Sequence, residues 1–146
     1  MQFLGHATGD QRFEQHRLSW IAERDIAEIA AAGLNAVRVP VGYWIVGFDN
    51  HDPSNKQEWK VLAPNGLKYL DMLIKDWCNK HNLAVFISIH AAKGSQNGND
   101  HSAPSDPGKT YWGSYKENID NTIDVANFLA KRYKDDPAYL GIGLLN

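Results

Sequence analysis

An α/β fold built on a parallel sheet is predicted from three observations. Short, near-continuous apolar runs alternate with amphipathic segments, in the order helix, strand, helix, strand, helix, strand. The long polar segments follow the strands, whereas the turns from helix to strand, Gly33-Leu34-Asn35 and His81-Asn82, are short. No low-complexity tract or linker divides the 146 residues, a length suited to one domain.

The first helix is expected over Ile21–Ala32, where Ile26, Ile29 and Ala30 recur at helical spacing and Gly33 supplies the stop. Ala36–Val41 follows as a short β-branched strand closed by Pro40. A polar and aromatic loop runs from Gly42 to Pro64. Leu67, Leu70, Ile74 and Trp77 then mark one face of a helix starting near Asn65. Leu83–His90 is the clearest strand, and a loop dense in Gly, Ser, Asn, Asp and Pro follows from Ala91 to Gly113. Ile119, Ile123, Ala126, Ala130 and Tyr133 outline the third helix, stopped by Asp135-Asp136-Pro137, and Tyr139–Asn146 reads as the third strand. An open doubly wound sheet and part of a (β/α)₈ barrel both fit this order. Both gather chemistry at the C-terminal ends of their strands, where loops this long are usually functional.

Composition narrows the function classes. A formal net charge of −2 predicts no affinity for nucleic acid. The apolar runs are too short to span a bilayer, and the opening residues do not read as a signal peptide. The one cysteine, Cys78, has no disulfide or CxxC partner and reads as a small hydrophobe on a helix. The histidines are scattered without metal-ligand spacing, and no glycine-rich phosphate loop follows a strand, so no metal or cofactor is expected. The aromatic share of 11% leans mildly towards stacking on sugar rings.

Arg38, His90 and Asn146 each sit at or near the C-terminal end of an apolar strand, about one βα unit apart. Singly, each has a structural reading: a snorkelling arginine, a satisfied core histidine, a turn-capping asparagine. Jointly they are expected to converge on one face of the sheet and form a shared site.

The strings Val37–Trp44 (VRVPVGYW), Ser88–Gly98 (SIHAAKGSQNG) and Ile142–Asn146 (IGLLN) are similar to glycoside hydrolase family 5, nearest its fungal-type exo-β-1,3-glucanases. The family patterns read roughly R-[IV]-P-[IV]-G-Y-W, D-L-H-G-A-P-G-S-Q-N-G and G-[IV]-E-L-L-N-E-P. Trp20–Asp25 also resembles the family's W-I-T-E-x-D, so the likeness covers the chain from about His16 onward.

That resemblance implies a (β/α)₈ TIM barrel, of which residues 1–146 carry about three parallel strands with their helices. They are expected to be the first half of a catalytic domain, without its first strand and C-terminal half. It further implies retaining hydrolysis of β-glucan by two glutamates about 5–5.5 Å apart. By the same resemblance, Arg38 lies under the nucleophile, His90 meets the sugar at the cleavage point, and Asn146 precedes the acid/base glutamate and bonds the 2-hydroxyl. Tyr43 and Trp44 form a pocket wall, while Asn97 and Asp100 fall among residues that bind the terminal glucose. Asn99 stands where the family often has an aromatic, His101 follows Asp100 in place of asparagine, and Ala91 and Lys93 replace glycine and proline.

None of Glu14, Glu23, Glu28, Glu58 or Glu117 is expected at a strand end, so this polypeptide is predicted inactive by itself, as a fragment, a truncated gene model or half of a split barrel. The resemblance implies a secreted or wall-associated parent with β-glucan as its partner. The open sheet edges predict self-association of the 146-residue chain.

Overall fold

The computed structural model describes residues 1, 3–47, 53 and 60–146. Residues 48–52 and 54–59 of the expected Gly42–Pro64 loop, Glu58 among them, lie outside these. Three parallel strands form one sheet in chain order: β1 (Ala36–Gly42), β2 (Ala84–Ala91) and β3 (Tyr139–Gly143). β1 pairs with β2 from Ala36↔Ala84 to Val41↔Ile89, and a register shift then sets Gly42 opposite Ala91. β3 pairs from Val85↔Tyr139, shifts, and runs from Phe86↔Gly141 to Ser88↔Gly143. The third strand is shorter than expected, ending three residues before Asn146.

The sheet's two faces differ. On one, Val85, Ile87 and Ile89 are fully buried with Ile74, Cys78, Val125, Leu129 and Tyr133, forming the core between sheet and helices. Burial of this face follows from its unbroken apolar pattern. The other face carries Arg38, Phe86, Ser88 and His90, by the alternation of side chains along a strand. Gly141 and Gly143 leave space for the Phe86 ring, which a Cβ at Gly143 would approach to 3.3 Å.

Helix α1 (Gly5–Trp20) was not expected. Its apolar residues share no face and only Gly9 is buried, so the sequence carries no helical stripe to read. Polar contacts tie it down: Arg17 donates to the carbonyls of Ala63 and Pro64, and Lys68 pairs with Glu14. α2 (Glu23–Ala31) starts where Asp25 Oδ2 accepts the Ala22 N–H at 2.7 Å. It ends at Gly33 (φ +83°), with Leu34 N–H reaching back to the Ile29 carbonyl.

α3 begins at Leu67, after Asn65 at φ +64°, and passes at Met72 into a π-helical stretch, Met72–Cys78. The wider turn puts Leu70, Ile74 and Cys78 in the core and leaves Leu67 and Trp77 at its margin, a shift from the expected face. Burial pushes the Cys78 thiol up to about 11, so it stays protonated and inert at neutral pH.

α4 (Lys116–Tyr133) buries Ala126 and Tyr133 of the expected stripe, but its inward face is rotated to take in Asn118, Thr122, Val125 and Leu129 in place of Ile119 and Ile123. Ile123 is 53% exposed, while Asn118 and Thr122 are buried. The preceding loop bonds both: Asn118 Nδ2 donates to the Tyr111 carbonyl at 3.0 Å, leaving its Oδ1 buried without a partner, and Trp112 Nε1 donates to Thr122 Oγ1 at 3.0 Å. At the other end of α4, Arg132 grips Asp71 with two nitrogens (2.8 and 2.5 Å), and Tyr133 Oη donates to the same carboxylate at 2.8 Å. These bonds lock α4 to α3 and hold Asp71 below the usual carboxylate range.

Candidate active site

The sheet brings Arg38 and Asn146 into direct contact. Arg38 Nη2 donates to Asn146 Oδ1 and to Ser88 Oγ, both at 2.8 Å. β1 supplies the arginine, β2 the serine, and the segment after β3 the asparagine. Asn146 is not the tip of a strand, yet its N–H donates to the Ile89 carbonyl at 3.0 Å and so continues the β2–β3 contact. Arg38 remains exposed on the open face of the sheet, where its charge is available to a ligand.

His90 lies next along β2 on the same face as Ser88. Its ring meets that of His101 edge-on, with centroids 5.5 Å apart at 64°. Its Nδ1 is shut off from solvent and has no hydrogen-bond partner. Burial foremost, then the charge of Arg38, then His101, push the imidazole below its ordinary pKa. Because the folded value is the lower one, the unfolded chain takes up this proton first. The contribution to stability is complete above about pH 6.5, the ordinary imidazole value, and falls as acidification approaches the folded value. A pH titration of the imidazole resonances is expected to place the His90 midpoint below the ordinary imidazole value, and His90→Gln to flatten the acid limb of stability. A His90 midpoint at or above the ordinary value would contradict this geometry.

The loop beyond β2 is knotted by its own side chains. Ser95 Oγ accepts the Gly98 N–H at 3.0 Å and lies 2.5 Å from Ser102 Oγ, which donates to the Asn99 carbonyl at 2.8 Å. Gly94 and Gly98 both take left-handed conformations, at φ +78° and +74°. A Cβ at Gly94 would stand 2.5 Å from Asn118 Nδ2, and one at Gly98 2.8 Å from the Gly108 backbone. The G-S-Q-N-G string is thus a requirement of loop geometry. Lys93, between Ala92 and Gly94, is 3% exposed.

Asn97 is exposed; its Oδ1 accepts the Asn99 N–H at 3.0 Å, and its amide donates to His101 Nε2 at 2.9 Å. Asp100 opens a short 3₁₀ turn, Asp100–Ser102, and is also exposed. Tyr43 and Trp44 start another 3₁₀ turn after β1, but Tyr43 is only 5% exposed and packs in the core, edge-on to Trp44. Trp44 lies under Gly42 and lines a groove of about 590 Å³ along β1 with Arg38, Trp20 and Trp77. His90 and Asn146 do not line that groove. The structure therefore gathers Arg38, His90 and Asn146, sets Asn97 and Asp100 on the adjoining loop, and keeps Tyr43 apart in the core.

Three residues at this site escaped the sequence reading. Ser88 shares the period-two face of His90, a signal that was present. His101 and Gln96 carried none, because their contacts depend on how the loop folds back. Glu14, Glu23, Glu28 and Glu117 all lie within helices α1, α2 and α4. Among the described residues no group of three or more His, Cys, Asp or Glu is placed to hold a metal, and no helix is long and apolar enough to cross a membrane.

Residues 5–146 match the family described as Cellulase (glycosyl hydrolase family 5). The chain belongs to glycosyl hydrolase family 5. It is 38% identical to a glucan 1,3-beta-glucosidase of Schwanniomyces occidentalis, over 99% of this chain and 32% of that protein. It is 36% identical to the sporulation-specific glucan 1,3-beta-glucosidase of Saccharomyces cerevisiae, over 98% of this chain and 30% of the relative. The chain thus spans about a third of the length of the curated relatives it matches. Among solved structures, the rutinosidase from Aspergillus niger superposes with a TM-score of 0.69 at 20% identity, covering 88% of this chain and 34% of that one. That likeness places the three family 5 strands in a (β/α)₈ barrel architecture, of which this chain forms part, and removes the doubly wound alternative.

Proposed function

We propose that these residues form one side of the sugar site of a retaining exo-β-1,3-glucanase, whose parent polypeptide releases terminal glucose from β-1,3-glucan. The observation that carries the reading is the Arg38–Asn146 hydrogen bond beside His90, in a chain whose relatives are named glucan 1,3-beta-glucosidases. In this reading residues 1–146 are the first half of a catalytic domain. Arg38 stabilises a nucleophilic carboxylate by its charge. Asn146 presents its amide to the sugar 2-hydroxyl, with its Oδ1 already committed to Arg38. His90, kept neutral, hydrogen-bonds a sugar hydroxyl without adding charge. Asn97 and Asp100 contact the terminal glucose, and Trp44 serves as wall, with Tyr43 supporting it from the core.

The test is a polypeptide containing these residues and continuing through the family's Glu-Pro after Asn146. It is expected to release glucose from laminarin-type glucan with retention at the anomeric carbon. Preference for β-1,4-glucan, β-mannan or β-1,6-glucan would keep the family and overturn the linkage. Binding without cleavage of any of them would point to a carbohydrate-binding barrel instead.

A further inference from the structure

We propose that Gln96 is a positioning residue that locks the C-terminal ends of β2 and β3 together. Its amide nitrogen donates to the His90 carbonyl at 2.9 Å and to the Asn146 carbonyl at 3.0 Å. Its Oε1 accepts the Ala92 N–H at 3.1 Å. Both hydrogens of Nε2 are therefore used, and the amide can adopt only this orientation. Flipped, it would set an oxygen against two carbonyls and N–H against N–H.

The place of these bonds gives them their effect. Recorded pairing between β2 and β3 ends at Ser88↔Gly143. Beyond it, Asn146 N–H to the Ile89 carbonyl is one link, and Gln96 supplies the next by bridging carbonyls that cannot bond each other. The side chain thus replaces a missing rung of the ladder. Asn146 is held at its N–H by β2, at its carbonyl by Gln96 and at Oδ1 by Arg38. In a polypeptide that continues past Asn146, the Gln96 bond would fix the direction in which the backbone leaves it. Under the function proposed above, that direction aims the acid/base glutamate.

Gln96→Ala and Gln96→Glu discriminate this role from simple filling of space. Glutamate has nearly the same shape, so a packing role predicts that it is the milder change. A bridging role predicts the reverse at neutral pH, because a carboxylate then faces the His90 carbonyl and the main-chain oxygen of Asn146, which in the 146-residue chain is part of the terminal carboxylate. Protonation returns one O–H donor and restores part of the bridge. The readout is the protection factor of the Asn146 amide in the 146-residue chain, by hydrogen exchange corrected for intrinsic rate. Expected is a fall of about tenfold in Gln96→Ala, a larger fall in Gln96→Glu at pH 7, and partial recovery of Gln96→Glu alone below about pH 4, the glutamate range.

Equal protection in all three chains, milder loss in Gln96→Glu, or no protection of Asn146 in the unsubstituted chain overturns the bridge. In the longer polypeptide, kcat is expected to fall at least tenfold in Gln96→Glu with KM little changed. Unchanged kcat despite lost protection overturns the positioning role. Lack of glucan hydrolysis by the unsubstituted longer polypeptide defeats the proposed function instead, while the exchange result still decides the bridge.

Discussion

Incubated with laminarin-type β-1,3-glucan, the 146-residue chain is expected to release no glucose above a blank. Retaining cleavage needs one carboxyl to protonate the leaving oxygen and a second to attack the opposite face of the sugar. The four glutamates described here lie in helices, and Glu14 and Glu23 are bound to Lys68 and Lys80. Of the residues proposed for the site, Arg38, His90 and Asn146 have no side-chain carboxyl, and Asp100 stands exposed on the loop beyond β2. General acid catalysis alone contributes about 10²–10⁴-fold, and loss of the nucleophile removes the covalent route entirely. In the longer polypeptide, replacing the first glutamate after Asn146 by glutamine is expected to cost at least that acid contribution. Glucose release by the short chain, undiminished on repurification and lost in His90→Ala, would show that a carboxylate pair exists within these residues.

The same chain is expected to self-associate at micromolar concentration. β1 and β3 are both edges of the sheet, and the groove of about 590 Å³ beside β1 is lined by Trp20, Trp44 and Trp77. Leu140 and Leu144, at and just beyond β3, are 62% and 66% exposed. Open edges with adjacent apolar surface invite pairing with another chain. Fully burying one leucine is worth about 1.5–3 kcal/mol. Leu140→Lys is therefore expected to weaken association about tenfold or more, at 1.4 kcal/mol per decade. Sedimentation velocity over a range of concentrations reads both effects. A monomer throughout, with a sharp cooperative unfolding transition, would sink the expectation.

The strands were legible because their apolar runs needed only length and composition to be recognised. Parallel order followed from the helices between them, and the order of Arg38, His90 and Asn146 followed from the spacing of those units. Faces were harder. In α4 the buried stripe runs through Asn118 and Thr122, which bond Tyr111 and Trp112 of the preceding loop, so periodicity alone picked out Ile123. In α3 the π-helical turn moved the stripe onto Cys78. α1 has no stripe at all, since side-chain bonds from Arg17 and Glu14 to the Ala63–Lys68 segment hold it in place. Gln96 stood inside the Ser88–Gly98 string, but its role was not legible there, because its partners are main-chain groups, which every residue has.

The π-helical stretch Met72–Cys78 has a bearing on length tolerance. A wide turn houses one residue more than an α-turn of the same angular span. Removing an exposed residue there, such as Lys75, relaxes the segment to ordinary α-helix while Cys78 and the residues after it keep their phase towards the sheet. The same deletion inside α4, between Thr122 and Val125, would swing Leu129 and Tyr133 by about 100° out of the core. α3 thus holds a spare residue that α4 lacks, so a one-residue deletion is expected to be absorbed within Met72–Cys78 and not within α4.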